Sequence, residues 1–586
     1  MRFFLICCFS LWCIASHAAP PTPALRLLLT APEVTLDPAL ASDLSSLSLV
    51  ENLFEPPLRY HYLARPVTLE GNTASALPSV SDGGKTYLLH IKPGIFFRPD
   101  PAFKGVAREL TASDYVYSWQ RLYDPTLKSP WAYLLQGKLL GDEALQAAGK
   151  FDVKTAIAGL QALDKYTLQI RLKQADPNFL YFLAMPVSSA IAPEVVQSYG
   201  AQVGSHPVGT GPYLLQEWQR GHHLVLEAMP GYRADTLSAH KAIAQDDITL
   251  SRALAGKTLP RTKRLEIAVV EEPQAYLLAF LDGQFDYLEQ VPPTMAGMVL
   301  QGGAGPALAL KPALASKGMK LSPFTPLQTY YLWMNMQDPL LGGYSVDKIA
   351  LRRAIALAYN REEDINLLEK GLALPAQMPI PPLALGYDAG YRSSNRYDLA
   401  LANRLLDKFG YGKRDAQGFR LQASGAPLVL RMHAVTTSDG RVRAEAWRKC
   451  LLALGIQLEF VFDKKSEINK AARLGKVQMF ETNWIGDYPD GENFLQLLYG
   501  PNSGRANYAH FQLPAYDKLY EQARDLPPGA ARDALYKQMA QLIDAYNPWV
   551  LRIYPLSLDL QQPWLKQYRR HPVALTNWRY LESERK

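Results

Sequence analysis

Late in the chain three acidic residues, Asp487, Asp490 and Glu492, stand close enough together to suggest chemistry. Carboxylates so grouped can hold a cation, but their offsets do not keep the spacing of an EF-hand calcium loop. Pro489-Asp490-Gly491 is also a turn signal, so spacing alone favours Asp487 as a turn carboxylate. His222 and His223 are adjacent, and on a regular strand successive side chains face opposite ways, so the pair does not converge on one metal. Gly209-Thr210-Gly211 lacks the third glycine of a dinucleotide fingerprint, and Pro212 stands where its helix would begin. There is no His-Glu-x-x-His, Gly-x-Ser-x-Gly, phosphate-loop or Cys-x-x-Cys motif. No catalytic residue, metal or cofactor is therefore expected. A secreted hydrolase with a scattered nucleophile and base is the alternative from another class.

The N-terminus reads as an address. Arg2 precedes an uncharged apolar run from Phe3 to Ala15, and Ser16-His17-Ala18-Ala19 supplies small residues for cleavage. The run falls short of the roughly 20 residues of a bilayer span, so residues 1–19 are expected to be a secretory signal peptide. Lipid attachment at Cys13 is disfavoured by the bulky Trp12 before it. Three of the four cysteines (Cys7, Cys8 and Cys13) lie in that segment, leaving Cys450 without an intramolecular disulfide partner. No later stretch reads as a membrane span. Lys+Arg 62 against Asp+Glu 55, without a basic cluster, argues against a nucleic-acid partner.

The elements that must carry any site alternate between strand and helix, an α/β pattern without repeats. Tyr87–Lys92, Leu224–Glu227 and Leu265–Val270 read as strands. Thr111-Ala112-Ser113-Asp114 opens a helix, with Thr111 or Ser113 as its cap, and Ile349–Tyr359 is an amphipathic helix. No composition shift divides the 586 residues into tandem domains, which suggests lobes built from discontinuous segments.

Several segments together resemble the periplasmic oligopeptide- and dipeptide-binding proteins of ABC importers, the extracellular solute-binding proteins of family 5. They are Glu33-Val34-Thr35-Leu36-Asp37-Pro38, Asn52-Leu53-Phe54-Glu55-Pro56-Pro57-Leu58, Ser81-Asp82-Gly83-Gly84-Lys85-Thr86-Tyr87, Thr111 to Arg121, Pro207-Val208-Gly209-Thr210-Gly211-Pro212-Tyr213, Arg352-Arg353-Ala354-Ile355 with Tyr359-Asn360-Arg361, and Asn483-Trp484-Ile485-Gly486-Asp487-Tyr488-Pro489. The resemblance implies a two-lobed α/β periplasmic binding protein fold of the Venus-flytrap type, with three domains and a two-crossing hinge. Domain I would combine residues 20–59, 204–321 and 555–586, domain II would span 60–203, and domain III 322–554. It further implies a periplasmic monomer that closes on a small peptide and delivers it to an inner-membrane ABC permease, without chemistry. A ligand of another kind, such as haem, a nickel chelate, an opine or a glycan fragment, is the alternative within the family.

The resemblance also nominates residues. Asp487, in Trp484-Ile485-Gly486-Asp487-Tyr488, would pair with the α-ammonium of the peptide. Trp484, Trp131 and Tyr133 would offer aromatic walls. Glu33 and Val34 would form a strand giving backbone hydrogen bonds to an extended peptide, and Tyr554 lies near another cleft position. Two departures stand out. Glu481 occupies a position where many relatives carry an arginine for the ligand carboxylate, and Arg98–Leu110 reads as an insertion.

Overall fold

The computed structural model describes residues 24–147, 152, 155–240, 243–301 and 308–585. The expected signal at 1–19, with its three cysteines, lies outside them. None of the helices among the described residues is long and apolar enough to cross a membrane.

Distant segments meet in the first body. The sequence Ala24–Leu29 alternates, so Leu25, Leu27 and Leu29 face the core while Arg26 points away. This strand runs parallel to Arg264–Val269, Leu25 opposite Leu265 and Leu27 opposite Ile267. His223–Ala228 and Tyr213–Gln219 complete the four-stranded sheet. Ser557–Gln561, from the other end of the chain, sits between Tyr287–Leu288 and Lys320–Phe324 in a second sheet. One body is thus assembled from the beginning, middle and end of the chain.

The glycines of Pro207–Tyr213 are required by a close backbone approach. A Cβ at Gly209 would stand 2.0 Å from the Leu53 carbonyl oxygen, and one at Gly211 2.5 Å from that of Asn52. The Gly211 N–H donates to Leu53 O at 3.1 Å across the same contact.

A second unit holds the antiparallel sheet Ser79–Ser81, Thr86–His90, Thr167–Arg171 and Leu160–Ala162. Helix Ala112–Gln120 packs beside it, burying Tyr115 and Trp119. Its cap is Thr111, whose N–H donates to the Asp114 carboxylate at 2.8 Å.

The other lobe is built on a five-stranded mixed sheet: Gln457–Asp463, Val429–Val435, Met479–Ile485, Gln328–Met334 and Trp549–Leu551. Both of its faces are buried. Leu332, Met334, Met479 and Val550 meet helices Val346–Ala358 and Ser438–Ala453. Tyr331, Trp333, Phe480 and Trp549 meet helices Pro514–Arg524 and Ala530–Tyr546. The chain passes between this sheet and the first body twice, from Phe324 to Gln328 and from Leu551 to Ser557. Two short connections between packed bodies are what a hinge requires.

Candidate functional site

Strand Met479–Ile485 ends at Gly486, whose N–H donates to Leu327 O at 2.8 Å. The chain then turns and presents Asp487, Tyr488 and the short helix Glu492–Leu495. Asn493, fully buried, organises the turn with both ends of its amide. Its Oδ1 accepts the Trp484 indole N–H at 2.8 Å and the Asp487 N–H at 3.1 Å, and its Nδ2 donates to Asp487 Oδ2 at 3.2 Å.

The neighbouring carboxylates differ sharply in their surroundings. Asp490 is buried and neutralised by Arg532, and accepts the Tyr536 hydroxyl at 2.7 Å. Asp487 is half-buried and has no cation paired with it among the described residues. Burial pushes its pKa above the ordinary carboxylate value, and the Asn493 hydrogen bond opposes that only in part. Asp487 is an anion-in-waiting, oriented and without a counter-charge.

It faces a cavity of about 890 Å³ between the lobes. Trp484, Asp487, Tyr488, Asn493 and Tyr508 line one side, and Tyr133, Leu134, Asn178, Phe179 and Phe182 line the other. Tyr133 is near enough for the Asp487 charge, after burial, to raise its hydroxyl pKa. The lobes also touch: the Tyr181 and Tyr488 rings stack with centroids 5.5 Å apart at 7°, and Asn178 Nδ2 donates to Glu492 Oε2 at 3.4 Å. Among the cavity's cations Lys138 pairs with Asp176 and Lys173 with Asp142, while Arg473 and Arg505 make no ion pair among the described residues.

Comparison with known proteins places this architecture. Residues 68–506 match the family described as bacterial extracellular solute-binding proteins, family 5 Middle. The chain belongs to this family. It is 25% identical over 505 residues to Di/tripeptide-binding protein 2 of Pseudomonas aeruginosa, covering 84% of this chain and 83% of that one. It is 24% identical over 547 residues to the probable deoxycholate-binding periplasmic protein YgiS of Escherichia coli, covering 92% and 89%. Among solved structures, the periplasmic binding protein DppA from Helicobacter pylori, in complex with the peptide STSA, superposes with a TM-score of 0.72 at 19% identity, covering 96% of this chain and 98% of that one.

For this family-5 protein the structure brings together Asp487, Trp484 and Tyr133 at the cavity. It does not bring the other nominated residues there. Trp131, next to a cavity-lining proline, turns away and donates its indole N–H to Ala41 O at 2.7 Å. Glu33 and Val34 lie in an extended segment outside any strand. The Glu33 carboxylate accepts from the Trp218 indole at 2.5 Å and the Gly221 N–H at 3.0 Å, while the Val34 N–H is taken by Ser46 Oγ at 2.8 Å. Tyr554 is 1% exposed and donates its hydroxyl to Met378 O at 2.6 Å, bracing the 378–380 segment.

Glu481 also lies away from the cavity. On strand Met479–Ile485 it is odd-numbered and Trp484 even-numbered, so the two face opposite ways. Glu481 points from the cavity into a buried cluster, accepting from Arg552 Nη1 and the Trp447 indole, both at 2.5 Å. Its charge is spent on Arg552 and does not confront a ligand. Asn493 was not singled out from sequence; its signal is an amide just beyond the turn, able to reach back to the aspartate.

Proposed function

We propose that this family-5 protein is a periplasmic receptor that holds a short peptide between its lobes, its α-ammonium against Asp487, and delivers it to an inner-membrane ABC permease without altering it. The observation that carries this is the Asp487 carboxylate, oriented by Asn493, facing the interlobe cavity with no cation paired with it among the described residues. An ammonium taken out of water needs an opposite charge, and a carboxylate in that position supplies the charge and a direction. The similarity to di/tripeptide-binding protein 2 and to a structure holding a peptide supports the same reading.

The cavity's size suits a short guest, since small-ligand sites run about 300–1,000 Å³. Its aromatic walls supply area without demanding one side chain. Arg473 and Arg505, which line the cavity, are the groups to meet the ligand carboxylate. A bile acid suits the site poorly, because it brings no cation to pair with Asp487. Among the described residues lining the cavity there is no Ser, Thr, Cys or His, which favours binding over turnover.

Native mass spectrometry of protein purified without refolding tests the reading. The expected result is a one-to-one adduct with the mass of a short peptide, released intact. An adduct of another chemistry, or a peptide shortened on incubation, overturns it.

A further inference from the structure

A second polar cluster lines the same cavity where the lobes meet. Glu492 is 8% exposed, and its two oxygens accept from the Tyr520 and Tyr488 hydroxyls. Asn178, from the other lobe and 9% exposed, adds its Nδ2. No lysine or arginine forms an ion pair with Glu492 among the described residues; burial raises its pKa, and the charges of Asp176 and Asp490 push in the same direction. Asp176 and Asp490 have their own cations in Lys138 and Arg532. The remaining end of the Asn178 amide, Oδ1, is buried without a hydrogen-bond partner among the described residues.

Buried polar atoms in folded proteins are nearly always satisfied, so an orphan carbonyl oxygen beside an unneutralised carboxylate asks for a partner. Everything the cluster has left to offer is an acceptor. Its complement is a group that only donates and carries positive charge, an ammonium or a guanidinium. The rings of Tyr488, Tyr520 and Phe179 border the same space, and aromatic faces also attract such a cation.

We propose that Glu492 and Asn178 form a side-chain subsite that selects peptides bearing a lysine- or arginine-like side chain. This rests on the peptide reading given above and adds a charge preference to it. Asp487 would take the main-chain ammonium and Glu492 the side-chain cation, so the preferred guest brings two positive charges to a cavity that offers two unpaired carboxylates.

Calorimetry on the full chain tests it with alanine tripeptides in which each position in turn carries lysine, norleucine or Nε-acetyl-lysine. At one position the lysine peptide should bind at least about tenfold more tightly than its norleucine counterpart, as expected for a desolvated charge pair. Acetylating that lysine should return the affinity to the norleucine level. In Glu492→Gln the lysine-to-norleucine ratio should fall to near one. Equal binding of lysine and norleucine at every position overturns the subsite and leaves the Asp487 reading standing. A ratio that survives Glu492→Gln also overturns it. If that variant does not fold, the acetyl-lysine comparison on the unaltered protein decides. Failure of every peptide to bind removes the peptide reading and this subsite with it.

Discussion

Replacing Asp487 with alanine separates what the free protein needs from what the bound one needs. In the unliganded chain the carboxylate accepts one side-chain hydrogen bond, from Asn493 at 3.2 Å, worth about 1 kcal/mol. Deleting it also removes a charge that burial disfavours, so the fold should survive. In the complex the same deletion strands the ligand ammonium with no counter-charge. Truncating one partner of a buried charge pair costs about 2–5 kcal/mol, roughly 30-fold to a few thousand-fold in Kd. Calorimetry with a free-amine tripeptide and its N-acetyl form, on both proteins, closes a double-mutant cycle. Acetylation should weaken binding to the unaltered protein by at least about 2 kcal/mol and have little effect on Asp487→Ala. If acetylated and free peptides bind the unaltered protein equally, the ammonium does not sit at Asp487 and the argument fails.

Three further outcomes follow from the geometry. Asp487 has its pKa raised by burial, so its ionised form costs stability, fully at pH above the folded pKa and not at all below the unfolded value. Asp487→Asn should therefore melt higher than the unaltered apo protein at neutral pH, with the gap closing on acidification below the ordinary carboxylate range; equal melting at all pH values by scanning fluorimetry contradicts this. Asn493→Ala keeps the charge but loses its orientation, and should weaken free-amine peptide binding by about 1 kcal/mol, measured as Kd by Trp484 fluorescence. Arg552 is fully buried among Asp364, Glu369 and Glu481. Arg552→Met should destabilise the fold by about 3–5 kcal/mol in urea unfolding by leaving Asp364 unpaired and Glu369 and Glu481 to Arg443 alone; a loss below about 1 kcal/mol would show that the cluster is not a single unit.

Much of the architecture could be read from sequence because local signals and family motifs agreed. Short apolar runs marked the strands now seen at Arg264–Val269 and His223–Ala228, and Thr111 with Asp114 marked a helix start. The close approach of Gly209 and Gly211 to Asn52 and Leu53 gives a physical reason for two of the segments that carried the resemblance. The site was legible only where one motif held it. Trp484 and Asp487 reach the cavity because a single strand and turn place both. Trp131 is two residues from Tyr133, yet one turns to Ala41 and the other to the cavity, a choice made by the rotation of one 3₁₀ turn that spacing does not encode. Strand parity, which is legible in sequence, sets Glu481 on the face opposite Trp484. Asn178 and Glu492 were out of reach, since their meeting depends on how two lobes pack across 314 residues of chain.

The alternation along Met479–Ile485 has a bearing on how such receptors diversify. Glu481, at an odd position, is tied into the Arg552 network, and Trp484, at an even one, lines the cavity. Mutation can therefore explore new tastes on one register while the other keeps the scaffold's grip unchanged.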